Sequence, residues 1–331
     1  MNDMQEVKSF DVGRAVLQDY LDTSLYPARL VVTELQSLSD ALAVGIIAPD
    51  TRLLVFEYQD ILYTFPMAVV LCYNVLQGEI DNQPWMMTFC NACNTGMVFN
   101  PVVDGQTLHF QRRGSYDGLL LIWDEETDSY WQHITGECLY GASAGQHLKI
   151  LATTRQMQVS EALSRNARLL TSSLSGDQEK LSHMMEKMRA YPEKVEAGIV
   201  ATIQKEDTRR PRFELGLGVW AAQGSAGAHG STFFPLVMLY ACESVIMTEF
   251  DGRRLLIYQT PDAISPVAVY LNTRQAWWEG DMLRLDNGAY IQNDVYVTAA
   301  GRREILERPR QLLMRWYGFA LTFPDSRLPD F

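Results

Sequence analysis

The chain has 331 residues, 47% of them apolar and 21% charged, an ordinary globular composition long enough for one large domain or two smaller ones. Lys and Arg number 28 against 40 Asp and Glu, and the net charge of -12 repels polyanions, so the reading is that nucleic acid is not a partner. No window reaches about 18 uninterrupted apolar residues, and Met1 to Phe10 carries acids in place of a signal-peptide core, which points to a soluble, cytoplasmic protein with no membrane partner. The five cysteines, Cys72, Cys90, Cys93, Cys138 and Cys242, are odd in number and sit mostly among apolar or strand-like neighbours, which fits reduced thiols better than a disulfide framework.

In chain order, residues 9 to 45 carry Val16, Leu17 and Leu21, then Leu35, Leu38 and Leu42, at three- and four-residue steps that read as helix. From Arg52 the period changes, and "RLLVFEY" and "ILYTF" read as two strands turning at Gln59-Asp60. A helix follows Pro66, a residue suited to a first turn. "QPWMMTF" is a strand into the cysteine loop "FCNACNTG", and the segment after it reads as a hairpin turning at Asp104-Gly105. "LLLIWDEETDSYWQHI" makes a second hairpin turning near Glu126 to Asp128. Residues 156 to 190 are the clearest helical region, broken at Ser175-Gly176, and Gly224 to Gly230 is a flexible loop. Strands return with "SVIMTEF", "RLLIYQT" and "VAVYL", before a last helix from about Arg308 to Ala320.

The second half echoes the first. "TFPMAVVLCYNVLQGEIDNQPWMMTF" and "FFPLVMLYACESVIMTEFDGRRLLIYQ" share an aromatic-Pro opening, an apolar stretch, an Asp-led turn at Asp81 or Asp251 and an apolar strand. The expected fold is therefore α+β, two divergent β-rich repeats with flanking helices: an N-terminal helical segment 1-45, repeat 1 over 46-195, a linker 196-227 and a shorter repeat 2 over 228-331. Aligning Pro66 with Pro235, with a one-residue slip at the turn, sets Cys90 against Thr260 and Cys93 against Ala263, so repeat 2 lacks the cysteine pair. A feature held by one of two copies is a better candidate for chemistry than one both require.

Cys90 and Cys93 stand in C-x-x-C spacing, which admits a metal site, a redox dithiol, or buried cysteines in a turn. Two thiolates so spaced can grip Zn, Fe or Cu, with His133 and Cys138 as candidates to complete the set. His133 and Cys138 are five residues apart, and an unbroken strand would point them to opposite faces unless Thr135-Gly136 breaks it. A redox dithiol wants a helix N-terminus to lower its pKa, whereas this loop runs into a strand. The Gly-flanked Ser143 matches a hydrolase elbow without the helix that an elbow needs. His229 on its Gly-rich loop reads as one exposed histidine, and Asp124, Glu125 and Glu126 as a solvated turn.

The run "LLVFEYQDILYTFP" through "FCNACNTGMVF", then "VDGQTLHF", "YDGLLLIWDEETDSYWQHITGECLYGASAG" and "WYGFALTFPDSRLP", resembles the prokaryotic family catalogued as domain of unknown function 3179, over about residues 33 to 327. The resemblance implies a Cys-Pro-x-Cys-Gly loop, here Cys90-Asn91-Ala92-Cys93-Asn94 with both sulfurs kept. It also implies a Trp-His-Glu step, whose histidine and glutamate are replaced here by Tyr73 and Asn74, and a Trp-x-Gln-x-Thr-Gly-Glu strand that matches at Trp131, Thr135, Gly136 and Glu137. The family name carries no reaction.

These readings converge on a metal-dependent, Cys-ligated enzyme acting on a small-molecule substrate at a cleft in repeat 1. Cys90, Cys93, Cys138 and His133 are the ligand candidates, Glu137 and His133 the acid/base candidates, and Arg113, Tyr73 and Trp131 the candidate substrate contacts. The alternatives are a non-catalytic binding or scaffold protein with a vestigial site, and a dithiol oxidoreductase.

Overall fold

A computed structural model describes residues 11, 14–17, 29–165, 167–170, 200–221 and 230–329. Residues 18–28, the helical stretch expected over 171–190, and His229 with most of its loop lie outside the described residues. The described chain is β-rich, with several sheets and five short helices, an α+β composition. It divides into two compact units, one holding residues up to Thr154 together with Arg165–Glu206, the other Arg155–Ser164 together with Asp207–Phe331.

In the first unit the strands Arg52–Tyr58 and Ile61–Pro66 pair antiparallel from Leu53–Pro66 to Tyr58–Ile61. Their turn residues Gln59 and Asp60 both take positive φ, 50° and 61°, whose twist matches that of the flanking strands. Ala167–Leu170 adds in parallel to Ile61–Pro66, and Leu35–Ser37 closes that side. Pro66 then leads into the helix Met67–Tyr73, which buries Met67, Val69, Val70, Cys72 and Tyr73 and ends at Asn74, left-handed at φ 59°. The next sheet runs Lys149–Thr153, Met97–Asn100, Gln83–Thr88, Val75–Ile80, Leu30–Val32, in that spatial order. A third sheet holds Ala15–Leu17, Phe110–Tyr116, Leu119–Asp124, Tyr130–Gln132 and Cys138–Tyr140. Phe56, Phe65 and Trp85 pack with ring centroids 5.5–5.7 Å apart at the middle of a core that includes Tyr73, Leu76 and Phe89.

Three sequence expectations change. Ala15–Leu17, Leu30–Val32 and Leu35–Ser37 are strands within the 9–45 stretch read as helical, leaving only Leu38–Ala43 as α-helix among its described residues. There the β-branched Val31 and Val32 and the pairing with Val75–Ile80 outweigh the spacing of the leucines. Arg155–Gln158 is a strand followed by the one-turn helix Val159–Ala162, and Ala167–Leu170 is again a strand. The last helix begins at Trp316, because Arg310–Arg315 pairs along its whole length with Leu215–Trp220.

In the second unit Leu215–Trp220, inside the stretch expected to link the repeats, is the central strand between Ser231–Pro235 and Arg310–Arg315. Helix Leu236–Ala241 and strands Val245–Phe250, Arg253–Tyr258 and Val267–Tyr270 follow, then five short strands from Ala276 to Glu304. Arg155 is buried there against Asp294 at 2.7 Å, and Asp294 also accepts the Tyr258 hydroxyl at 3.0 Å.

Candidate metal centre

The strands Gln83–Thr88 and Met97–Asn100 form a hairpin, paired at Met86–Phe99 and Met87–Val98, whose connection is the cysteine loop. Cys90 and Thr95 close the loop, Cys90 donating its N–H to Thr95 O at 2.8 Å and Thr95 returning one to Cys90 O at 3.3 Å. Between them Asn94 takes a left-handed φ of 59°, a conformation asparagine tolerates. Gly96 meets a closer limit: a Cβ there would stand 2.0 Å from Thr88 O, so the chain re-enters the hairpin only with glycine. This tight turn draws the Cys93 N–H to within 3.3 Å of Cys90 Sγ.

His133 arrives from the third sheet. Its strand ends at Gln132, whose side-chain oxygen accepts the N–H groups of Ile134 and Thr135 at 2.5 and 2.7 Å and so folds the chain into a turn. Gly136 completes the turn at φ 74° against the Phe99 ring of the cysteine hairpin, where a Cβ would come within 2.8 Å. Thr88 Oγ1 donates to His133 O at 3.2 Å, tying the two structures directly. These contacts carry the imidazole to Cys93, with Nε2 at 3.5 Å from Sγ.

Cys90, Cys93 and His133 offer one ligand atom each within 4.8 Å of one another, and all three residues are buried at 3% exposure or less. Among the described residues His133 Nδ1 has no hydrogen-bond partner, nor has the buried hydroxyl of Thr95 at the loop closure. Burial opposes ionisation of the Cys90 thiol, yet hydrogen bonds from Cys93 and His133 outweigh it and hold Cys90 well below the ordinary cysteine range. Burial and the adjacent Cys90 push Cys93 well above that range. The proton is thus favoured on Cys93 over Cys90, and a bound cation would compete with it.

The remaining candidates are dispersed. Cys138 pairs with Trp131 across the next strand, and its thiol donates to Tyr140 O at 3.4 Å, away from the cluster. Burial raises that thiol to about 11. Trp131 is fully buried, its indole N–H donating to Asp124 at 2.7 Å and its ring edge-on to Phe110. Tyr73 is buried in the apolar core. Glu137 is half-buried and bridges His147 through its main chain. Arg113 lies over the Trp123 ring at 5.6 Å. Its neighbour Arg112 is buried and donates to Asn74 Oδ1 at 3.0 Å, at the end of the helix Met67–Tyr73. Ser143 bonds Thr127, which bonds Asp124, so the serine and the carboxylate read as a solvated turn belong to one buried polar network.

Sequence reasoning missed Asn91 and the structural part played by Asn74. A signal for Asn74 was present, since asparagine just after an apolar helical run favours a left-handed cap.

Fold and cluster define a β-rich protein with a buried group of two cysteines and one histidine. Residues 31–179, which include the whole cluster, match the model of the family described as Protein of unknown function (DUF3179), and over this span the chain resembles that family. The motif "WYGFALTFPDSRLP" lies beyond the match. No curated protein and no solved structure matches the chain. No described helix is long and apolar enough to cross a membrane.

Proposed function

We propose that the protein binds a transition metal through Cys90, Cys93 and His133, and uses the ion for chemistry on a small molecule in the first unit. The observation that supports this is the convergence of three soft or borderline ligand atoms within 4.8 Å from two separate turns. Thiolates and imidazole together suit Zn, Fe or Cu and not Mg or Ca. Three protein ligands leave one position open, the arrangement by which catalytic zinc sites admit water or substrate. Loss of the pair from the second unit, where Thr260 and Ala263 stand at the aligned positions in a turn of their own, fits a duplication in which one copy kept the chemistry.

A second reading rests on the burial of all three ligands: the ion acts as a staple between the cysteine loop and the His133 turn, without catalysis.

Elemental analysis of tag-free protein purified without added metal, beside Cys90→Ser/Cys93→Ser and His133→Ala, tests the proposal. About one Zn, Fe or Cu per chain, lost in both variants, is expected. No metal in the wild type, with a reversible Cys90–Cys93 disulfide, would replace the metal reading by a dithiol one. Addition of azide to Co²⁺-loaded protein separates the two metal readings, since only an open position lets the anion alter the visible spectrum.

A further inference from the structure

We infer that Asn74 is the positioning residue of the metal centre, setting the geometry at Cys90 through both of that residue's neighbours, with Arg112 anchoring it from behind. This rests on the metal reading above. Asn74 O accepts the Phe89 N–H at 2.8 Å, and Asn74 Nδ2 donates to Phe89 O at 2.9 Å, so one asparagine holds both main-chain polar groups of the residue preceding Cys90. The same Nδ2 donates to Asn91 Oδ1 at 3.0 Å, which holds the residue following Cys90. Asn91 Nδ2 in turn donates to Leu71 O at 3.3 Å, docking the loop on the end of the helix Met67–Tyr73. The Asn74 amide has one orientation consistent with all of this, because its oxygen faces the Arg112 guanidinium.

The set is buried where it counts, Asn74 at 5% and Arg112 at 9% exposure, so water cannot readily substitute for a deleted partner. The main chain of Asn74 is fixed independently of its side chain, by the N–H that caps the helix at Val70 O and by a left-handed φ of 59°. Glycine accepts that conformation, so Asn74→Gly removes the amide while leaving the turn intact. Asn74→Asp keeps shape and acceptor but turns the donor toward Phe89 O and Asn91 Oδ1 into a second acceptor. Groups that orient metal ligands typically govern affinity by 10- to 100-fold, roughly the scale expected here.

The test measures Zn²⁺ affinity by chelator competition and the absorption of Co²⁺-loaded protein, for wild type, Asn74→Gly, Asn74→Asp and Asn91→Ala. Asn91→Ala reaches the same contact from the loop side and serves if either Asn74 variant does not fold. Expected are affinity losses of about 10- to 100-fold for Asn74→Gly and Asn74→Asp, a smaller loss for Asn91→Ala, and shifted thiolate-to-cobalt and d–d bands in folded protein. A role confined to stability would lower the melting temperature and leave the cobalt bands and the affinity unchanged, which would overturn the inference. Absence of metal from the wild type would remove the metal reading itself, whereas wild-type metal with unaltered variants would remove this inference alone.

Discussion

At the scale of single residues, the three buried cysteines of the first unit's site region differ in what surrounds them. Cys90 is held low by Cys93 and His133, Cys93 is raised by burial and by Cys90, and Cys138 is raised to about 11 by burial, with Asp124 and Glu137 adding to it. For Cys90, whose folded value is depressed, the stabilisation is full above the ordinary thiol range near 8.5 and fades as pH falls through the lowered value. For Cys138 the sign is opposite: its contribution is full below the ordinary range and fades as pH rises through about 11. Metal-free protein is therefore expected to gain thiolate absorbance in the ultraviolet at lower pH than the Cys90→Ser variant does. A second step near 11 is expected to vanish in Cys138→Ser. The same onset of thiolate absorbance in the wild type and in Cys90→Ser would contradict the lowered Cys90 value.

At the scale of elements, the centre depends on two turns being brought together. The hairpin can close only because Gly96 lets the chain pass 2.0 Å, in Cβ terms, from Thr88 O, and a backbone atom cannot yield as a flexible side chain would. Gly96→Ala is expected to cost about 3 kcal/mol and to weaken metal binding with it, read by denaturant melts and chelator competition. The strand leading into the second turn is held at Trp131 by Asp124, fully buried and accepting from Trp131 Nε1, Thr127 N and Thr127 Oγ1 at 2.6–2.8 Å. Asp124→Ala strands these donors and is expected to cost about 2–3 kcal/mol. Unchanged stability in that variant would show that the His133 turn is held by its contacts with Thr88 and Phe99 alone.

At the scale of the whole molecule, each unit has its own core, with Phe65 and Trp85 central to the first and Leu217, Phe234 and Ile257 to a core of the second. Cys90, Cys93 and His133 all lie in the first unit. Binding an ion at 100 times its dissociation constant adds about 2.7 kcal/mol to whatever folds with it. Hydrogen exchange with and without Zn²⁺ is therefore expected to show added protection at 86–100 and 130–138 and little change in the strands Val245–Phe250 and Arg253–Tyr258. Equal protection across both units would mean that the ion stabilises more than the site it ties together.

The sequence by itself determined the β-rich character, the strands on either side of Gln59-Asp60, the strand leading into the cysteine loop, and the family resemblance, because alternation, turn residues and short-range spacing are local signals. It also named His133 among the candidates, though not above Cys138. Tertiary structure alone decided between them: the break at Gln132 and the packing of Gly136 on Phe99 send the imidazole to Cys93, while strand pairing holds Cys138 beside Trp131. It likewise chose Arg112 over Arg113 and made Asn74 the clamp on the loop, since a contact across 38 residues of chain leaves no periodic trace. The same holds for Leu30–Val32 and Arg310–Arg315, whose strand state depends on partners far away in the sequence, Val75–Ile80 and Leu215–Trp220.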